Sequence, residues 1–238
     1  MRGFAVHLQT LDPAHQVPPR DLLPSRPCRA TPYLYSEREI AALMSAADVL
    51  RFAHRQATFR TLIGLLAATG IRVGEAIGLD RGDLDPEQGV VIVRHGKFGK
   101  SRELVLHRST VDALARYLRR HDRPQTEPAS PALFVSSTGS RLAYCDVQRT
   151  FRRLVQRAGL APRSASCRPR LHDLRHSFAV RTMLDAYRDG GDVDARLPLL
   201  STYLGHVDPK ATYWYLSAAP ELLELAAGRL DCHPGARR

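Results

Sequence analysis

The sequence predicts an α+β fold that is mainly α and carries one small antiparallel β-sheet. Apolar residues recur at helical spacing through most of the chain after residue 36, and helix-capping residues and glycines bound these segments. Only "GVVIVRHGKFGKSRELVLH" alternates with the period of a strand pair. A chain of 238 residues can bury the core of one large domain or of two small ones.

The first predicted boundary lies near residue 32. Residues 11–32 contain six prolines and little periodicity, which is typical of an extended linker. The helix "EREIAALMSAA" should follow, with Ser36 as N-cap and Glu39 as its capping-box partner. Tyr35 and Ile40 are spaced as a hydrophobic staple across this start.

Two more helices and a hairpin come next. A second helix is predicted over residues 56–69, ending at Gly70, and a short third one contains "IRVGEAIGL". The period-two stretch then predicts two β-branched strands with Lys97 at the tip of the loop between them.

The rest of the chain reads as helical with one exception. "STVDALARYLRR" predicts a helix, and "ALFVS" predicts a strand or an extended segment. The remaining predicted helices cover residues 144–158 (closed by Gly159), 171–189, 193–204, 209–217 and 220–230.

Charge indicates the class of partner. The chain has a net charge of +11 and an isoelectric point near 10.1, the balance of a protein that neutralises phosphates, although arginine-rich genomes also produce it. No apolar run approaches bilayer length and no signal segment is recognisable, so we expect a cytoplasmic protein without membrane contact. The four cysteines form no C-x-x-C pair, which predicts reduced thiols and no metal site.

One predicted helix concentrates the positive charge. Arg149, Arg152, Arg153 and Arg157 fall on one face of the segment "QRTFRRLVQR". Such a face is either simply solvated or lies against DNA, and the pattern alone leaves both interpretations open.

Several polar residues could form a site if the fold brings them together. Arg72 and Glu75 are three residues apart, as are His172 and Arg175, so each pair could share a helix face. By itself, the pair Arg72 and Glu75 is more typical of a surface ion pair, and the spacing of His172 and Arg175 is hardly more specific for a site.

Other segments complete a pattern. Lys97 lies in the hairpin, His206 follows "YLG", and Tyr215 comes nine residues later. In this order the chain resembles the tyrosine recombinases, the lambda-integrase and Xer family. The similarity extends from about residue 33 to 230 through four boxes, "ATGIRVGEAIGL", "GKFGKSREL", "LHDLRHSFA" and "LGHVDPKATYWY". It implies the family's catalytic fold, that of a DNA breaking-rejoining enzyme.

The resemblance implies strand cleavage through a 3′-phosphotyrosine, with Tyr215 as the nucleophile. Asp208 and Pro209 are good starting residues for a helix, on which Tyr213 and Tyr215 would face opposite ways. Only one of them can therefore meet the phosphate, and the family spacing from His206 selects Tyr215. A phenol has a pKa near 10, so it requires a base to attack at neutral pH.

The remaining roles also follow from the resemblance. His172 would be the base, and Lys97 the acid for the leaving 5′ oxygen, with Lys100 as a competitor for that role. Arg72 and Arg175 would stabilise charge on the non-bridging oxygens, and His206 would add a hydrogen bond. Glu75 would hold a catalytic cation in position. No metal ion and no cofactor are implied.

The implied organisation has two parts. Residues 1–32 would be the remnant of an N-terminal core-binding domain with its linker, and residues 33–238 the catalytic domain. Double-stranded DNA is the expected partner, bound by a homotetramer and possibly by other recombinase subunits, at the nucleoid, during integration or excision of a mobile element. The helix 220–230 would pack either on its own core or on a neighbouring subunit. Two alternatives are a remnant that binds DNA without cutting it and a relaxase similar to type IB topoisomerases.

Overall fold

A computed structural model describes residues 2–19, 22, 30–94, 101–124, 126, 129–205 and 221–222. The chain divides into two compact units, Met1–Ala30 and Thr31–Arg238. In the first unit, helix α1 (Arg2–Leu11) has no buried residue, and Arg2 Nε donates to the carbonyl of Pro18 at 3.0 Å.

The second unit contains the other described helices and one sheet. Its helices are α2 (Glu37–Ala46), α3 (Ala53–Thr69), α4 (Val73–Gly78), α5 (Arg108–Leu118), α6 (Tyr144–Arg157), α7 (Asp173–Arg188) and α8 (Val193–Leu204). Its strands are β1 (Leu84–Asp85), β2 (Val90–Val93) and β3 (Arg102–Val105). Single turns of 3-10 helix cover Ala47–Val49 and Arg81–Asp83. The mainly α fold with a small antiparallel sheet is therefore confirmed.

Helix α2 begins as its sequence predicts. The hydroxyl of Ser36 accepts from the backbone N–H of Glu39 at 3.2 Å, and the Glu39 carboxylate accepts from the Ser36 backbone N–H at 2.7 Å. This capping box satisfies two backbone donors that the first turn cannot pair internally. Tyr35 and Ile40, the predicted staple, are both buried in the main core cluster.

The sheet has one strand more than the sequence predicts. The strand order is β1-β2-β3, with both pairs antiparallel, and Val93 pairs with Arg102 at the end next to the connecting loop. Strand β1 is only two residues long, too short to show an alternating pattern. The predicted hairpin tip with Lys97 lies outside the described residues.

Helix α3 runs through the middle of the main core and packs against α2, α5 and α7. Nine of its 17 residues are buried, and they cover more than half of its circumference. Burying apolar surface contributes about 25 cal/mol per Å², so this helix anchors the unit. A second cluster joins α7, α8 and the buried Leu222.

Three further predictions have different outcomes. The segment "ALFVS" is extended but makes only isolated bridges, Asp80 with Ala132 and Val135 with Arg141. Helix α7 begins at Asp173, so His172 is its N-cap residue and lies just ahead of the helix. The predicted helix 209–217 lies outside the described residues, as does 220–230 except for residues 221–222, which are helical.

Within the described ranges, no helix combines the length and the apolar character that crossing a membrane requires.

Candidate active site

Arg72 is fixed at the start of α4 by Glu75. Its backbone is extended at the N-cap position, and its N–H donates to Glu75 Oε2 at 3.1 Å. Its guanidinium Nη1 donates to Glu75 Oε1 at 2.8 Å. Because only 9% of the Glu75 side chain is exposed, this is not the solvated surface pair that such spacing usually gives.

Glu75 has a second cationic partner, Arg102 on β3. Arg102 Nη2 lies 2.7 Å from Glu75 Oε2, and Nη1 lies 3.1 Å from Oε1, which is a bidentate pair. Burial alone would raise the pKa of Glu75, but the hydrogen bonds and charges of Arg102 and then Arg72 outweigh it and hold this pKa below its usual value. Glu75 therefore carries a negative charge between two guanidiniums.

Arg175, in the first turn of α7, is buried with 2% of its surface exposed. Its Nη1 donates to the carbonyl of Gly70 at 2.7 Å, and its Nη2 to the carbonyl of Leu204 at 2.6 Å. Gly70 has a φ of +60° at the end of α3, and a Cβ there would lie only 2.6 Å from a ring carbon of Phe178. The absence of a side chain thus lets α3 approach α7 closely at this point.

Three backbone carbonyls at the end of α8 accept hydrogen bonds from arginines. The carbonyls of Tyr203, Leu204 and Gly205 accept from Arg102 at 2.9 Å, Arg175 at 2.6 Å and Arg72 at 3.0 Å. A helix end has unpaired carbonyls and a partial negative charge, so guanidiniums stabilise it. We call Arg72, Arg102 and Arg175 the α8 arginine cluster. The next residue, His206, lies outside the described residues.

His172 lies beside this cluster. His172 is exposed at the edge of a cleft, where neighbouring protein atoms still displace part of its hydration. Its ring contacts His176 edge-on at a centroid distance of 5.0 Å. Burial, followed by the charges of Arg175 and Arg72, lowers the pKa of His172 to about 4. The imidazole is therefore neutral at pH 7, the form in which it can accept a proton.

The cleft in front of these residues has a volume of about 560 Å³. Its lining includes Arg72, Glu75 and His172, together with Arg94 and Tyr144. Arg94 pairs with Asp83 at 2.6 Å but leaves 58% of its side chain exposed. An opening of this kind, with cationic groups and a neutral imidazole, suits a phosphate group.

Not every predicted site residue can be located. Lys97, Lys100, His206, Tyr213 and Tyr215 lie outside the described residues. The fold does bring together Arg72, Glu75, His172 and Arg175, which come from two distant parts of the sequence. Among the residues described, no three His, Cys, Asp or Glu side chains are close enough to hold a metal ion.

The predicted basic helix is amphipathic. Val147, Phe151 and Leu154 are buried on one side of α6. The four arginines at 149, 152, 153 and 157 are exposed on the other, where Arg149 makes a 3.3 Å pair with Asp146. An exposed face is compatible with solvent and with DNA, so DNA contact remains a prediction.

Arg102 was missed by reasoning from the sequence. A signal was present, because the period of two places Arg102 on the same face of β3 as the buried Leu104. A charged residue on a buried strand face requires an ionised partner, and the sequence does not identify Glu75 as that partner.

Comparison with known proteins agrees with this geometry. The phage integrase family matches residues 34–221. The protein y4rB of Sinorhizobium fredii, named an integrase/recombinase, is 44% identical over 97% of this chain and 76% of its own length. Tyrosine recombinase XerD of Mycobacterium tuberculosis is 32% identical over 92% of this chain and 66% of its own length.

A solved structure shares the fold. The site-specific recombinase XerH, bound to its palindromic difH substrate, superposes with a TM-score of 0.66 and 23% identity. The superposition covers 91% of this chain and 59% of XerH.

Proposed function

The chain belongs to the phage integrase family, the tyrosine recombinases of site-specific recombination, and from this premise we propose that it cleaves and rejoins DNA through a covalent 3′-phosphotyrosine. One observation carries the proposal. Arg72 and Arg175, 103 positions apart in the sequence, donate to the adjacent carbonyls of Gly205 and Leu204. Two guanidiniums held this close together can bind the non-bridging oxygens of one phosphodiester.

We propose that cleavage is a transesterification, in which one phosphoester bond forms as another breaks. The phenolic oxygen of Tyr215 attacks phosphorus, a phosphotyrosine bond forms, and the bond from phosphorus to the 5′ oxygen breaks. His172 accepts the phenolic proton, and Lys97 gives a proton to the departing 5′ oxygen. Attack by a 5′ hydroxyl of another strand reverses these steps and rejoins the DNA without an external energy source.

The arginines act on charge that grows during the attack. Arg72 and Arg175 stabilise the non-bridging oxygens, and His206 adds a hydrogen bond to the same phosphate. His172 is neutral at pH 7, as a proton acceptor must be, and its lowered pKa makes it a weak base that releases the proton again readily. Arginine donors make a metal ion unnecessary in this scheme, which an assay in EDTA can test.

The proposal extends to partners. The substrate is double-stranded DNA, contacted in part by the arginine face of α6 and bound by a homotetramer, possibly together with other recombinase subunits. The reaction serves the integration or excision of a mobile element at the cytoplasmic nucleoid. Residues 33–238 would form the catalytic domain, a proposal that the family match over residues 34–221 supports.

Covalent capture tests the function. The protein is incubated with nicked duplexes that carry the flanks of its own element, and SDS-stable adducts are separated on a gel. We expect an adduct that EDTA does not affect, that Tyr215→Phe abolishes and that Tyr213→Phe leaves largely intact.

Other outcomes select the alternatives. DNA binding without any adduct would support a non-cleaving remnant, and relaxation of plasmids that lack the site would support a topoisomerase-like relaxase. An adduct that survives Tyr215→Phe would overturn the nucleophile assignment.

A further inference from the structure

Arg102 is held more firmly than a surface arginine. Its Nε donates to the Tyr203 carbonyl at 2.9 Å, and its two terminal nitrogens donate to the two oxygens of Glu75 at 3.1 and 2.7 Å. Only 14% of its side chain is exposed. Three directed bonds from one planar group fix both its position and its orientation.

These bonds join three parts of the candidate site. Strand β3 carries Arg102, α4 carries Glu75 and is preceded by Arg72, and α8 ends at the carbonyls that the cluster caps. Glu75 Oε1 accepts from both Arg72 and Arg102. Removing Arg102 would leave Glu75 with Arg72 as its one cationic partner in the described residues. Glu75 could then shift, and the Arg72 guanidinium would keep only its bond to the Gly205 carbonyl as a fixed anchor.

The packing at Gly205 shows how closely the parts meet. A Cβ built at Gly205 would lie 2.9 Å from Arg102 Nη1 and 3.1 Å from its Cζ. The guanidinium thus lies against the backbone that leads to His206. Lysine could not replace it, because one ammonium cannot bond two carboxylate oxygens and a carbonyl in the same plane.

We propose that Arg102 is a positioning residue for strand cleavage, which orients Arg72 through Glu75. It does not touch the phosphate. This inference rests on the proposed function, and its experiment separates the two.

The test measures single-turnover cleavage of the nicked substrate and, separately, the Kd for the same DNA. A displacement of about 1 Å in a site can slow a reaction on the order of 100-fold, so we expect Arg102→Gln to slow cleavage by about that factor. Its Kd should rise less than about threefold, because a side chain that is only 14% exposed makes no direct phosphate contact. Arg102→Lys should cleave faster than Arg102→Gln but slower than the wild type. It keeps the positive charge but loses the bidentate pair with Glu75.

A double-mutant cycle with Glu75→Gln gives the decisive readout. If Arg102 acts through Glu75, the double variant should cleave no more slowly than the slower single variant, since both remove the same linkage. If the double variant is slowed by the product of the two single factors, the two residues act independently and the proposal is overturned. The matched control is Arg108→Gln, which removes an equal charge from a side chain that is 82% exposed on α5 and should cleave at the wild-type rate.

The proposed function and the positioning role of Arg102 would fail with different experimental results. A wild-type chain that forms the adduct while Arg102→Gln cleaves at an equal rate would overturn only this inference. A wild-type chain without adduct would overturn the proposed function and this inference with it. Circular dichroism monitors folding, and if neither Arg102→Gln nor Arg102→Lys folds, Arg102 is a core residue and the proposal fails.

Discussion

Arg72, at the start of α4, donates a 3.0 Å hydrogen bond to the carbonyl oxygen of Gly205, at the end of α8. The two residues are 133 positions apart in the sequence. The bond ties a predicted phosphate-binding arginine to the last residue before His206. A substitution at Gly205 should therefore slow strand cleavage, even though glycine has no functional group.

The first prediction concerns Gly205→Ala. Gly205 has a φ of +69°, and an added Cβ would press on Arg102, which Glu75 and Tyr203 prevent from moving. We expect about 1–2 kcal/mol of lost stability from the backbone conformation, and cleavage slowed about tenfold or more by the displaced cluster. Denaturant unfolding and single-turnover cleavage measure the two effects.

Gly190→Ala is the matched control for that change. Gly190 has a φ of +70°, but a Cβ there would meet no atom within 4 Å. It should lose similar stability and keep its cleavage rate. Equal cleavage rates for both alanine variants would contradict the coupling between Gly205 and the arginine cluster.

The second prediction is a pH dependence of stability caused by His172. Its pKa is about 4 in the folded protein and near 6.5 in an unfolded chain. Between these values the unfolded chain binds a proton that the folded one does not, so stability rises with pH. The contribution is complete above about pH 6.5 and is lost as the pH falls towards 4.

Urea midpoints at pH 5 and pH 7 test this dependence. The midpoint of His172→Asn should change less between the two pH values than that of the wild type. His121→Asn, a change at an exposed histidine outside the cleft, should leave the wild-type difference intact. An unchanged pH dependence in His172→Asn would show that the ring is not held neutral by the fold.

The third prediction concerns the acid. If Lys97 protonates the leaving 5′ oxygen, Lys97→Ala should be slow on ordinary DNA and recover on a 5′-bridging phosphorothiolate, because a thiolate leaves without a proton. Cleavage rates on the two substrates give the ratio. Lys100→Ala should show no selective recovery, and recovery there would assign the acid to Lys100.

The fourth prediction tests the α6 face by salt dependence. Replacing Arg152 and Arg153 with glutamine should weaken DNA binding and flatten the slope of log affinity against log salt by roughly 0.9 for each lost phosphate contact. Fluorescence anisotropy across a salt series measures this slope. Arg108→Gln is the exposed control outside that face, and a slope unchanged by the α6 variants would support the solvated-face interpretation.

Much of the fold could be predicted because its signals are local. The Ser36 capping box, the stop at Gly70 and the four-arginine face of α6 depend on residues within a turn or two of each other. Strand β1 was missed because Leu84 and Asp85 are paired by their neighbour β2 and not by any pattern of their own.

The candidate site could be predicted less completely, because its geometry depends on contacts between residues that are distant in the sequence. The pair Arg72 and Glu75 is local, but its burial and the shared partner Arg102 depend on how β3 packs beside α4. The lowered pKa of His172 likewise depends on burial and on the charges of Arg175 and then Arg72, which is 100 positions away in the sequence. Sequence spacing can identify such residues as candidates for a site, but only the fold determines their electrostatic environment.

The capping of α8 by arginines also bears on reorganisation energy. A guanidinium has five N–H donors, and the side-chain bonds that anchor Arg72 within the described residues, one to Glu75 and one to Gly205, use only some of them. An arriving phosphate would then meet donors already oriented by the protein, without first having to pull flexible side chains out of water. Dipoles arranged before the reaction need little further movement as charge develops. The end of one helix would thereby lower the barrier without touching the DNA.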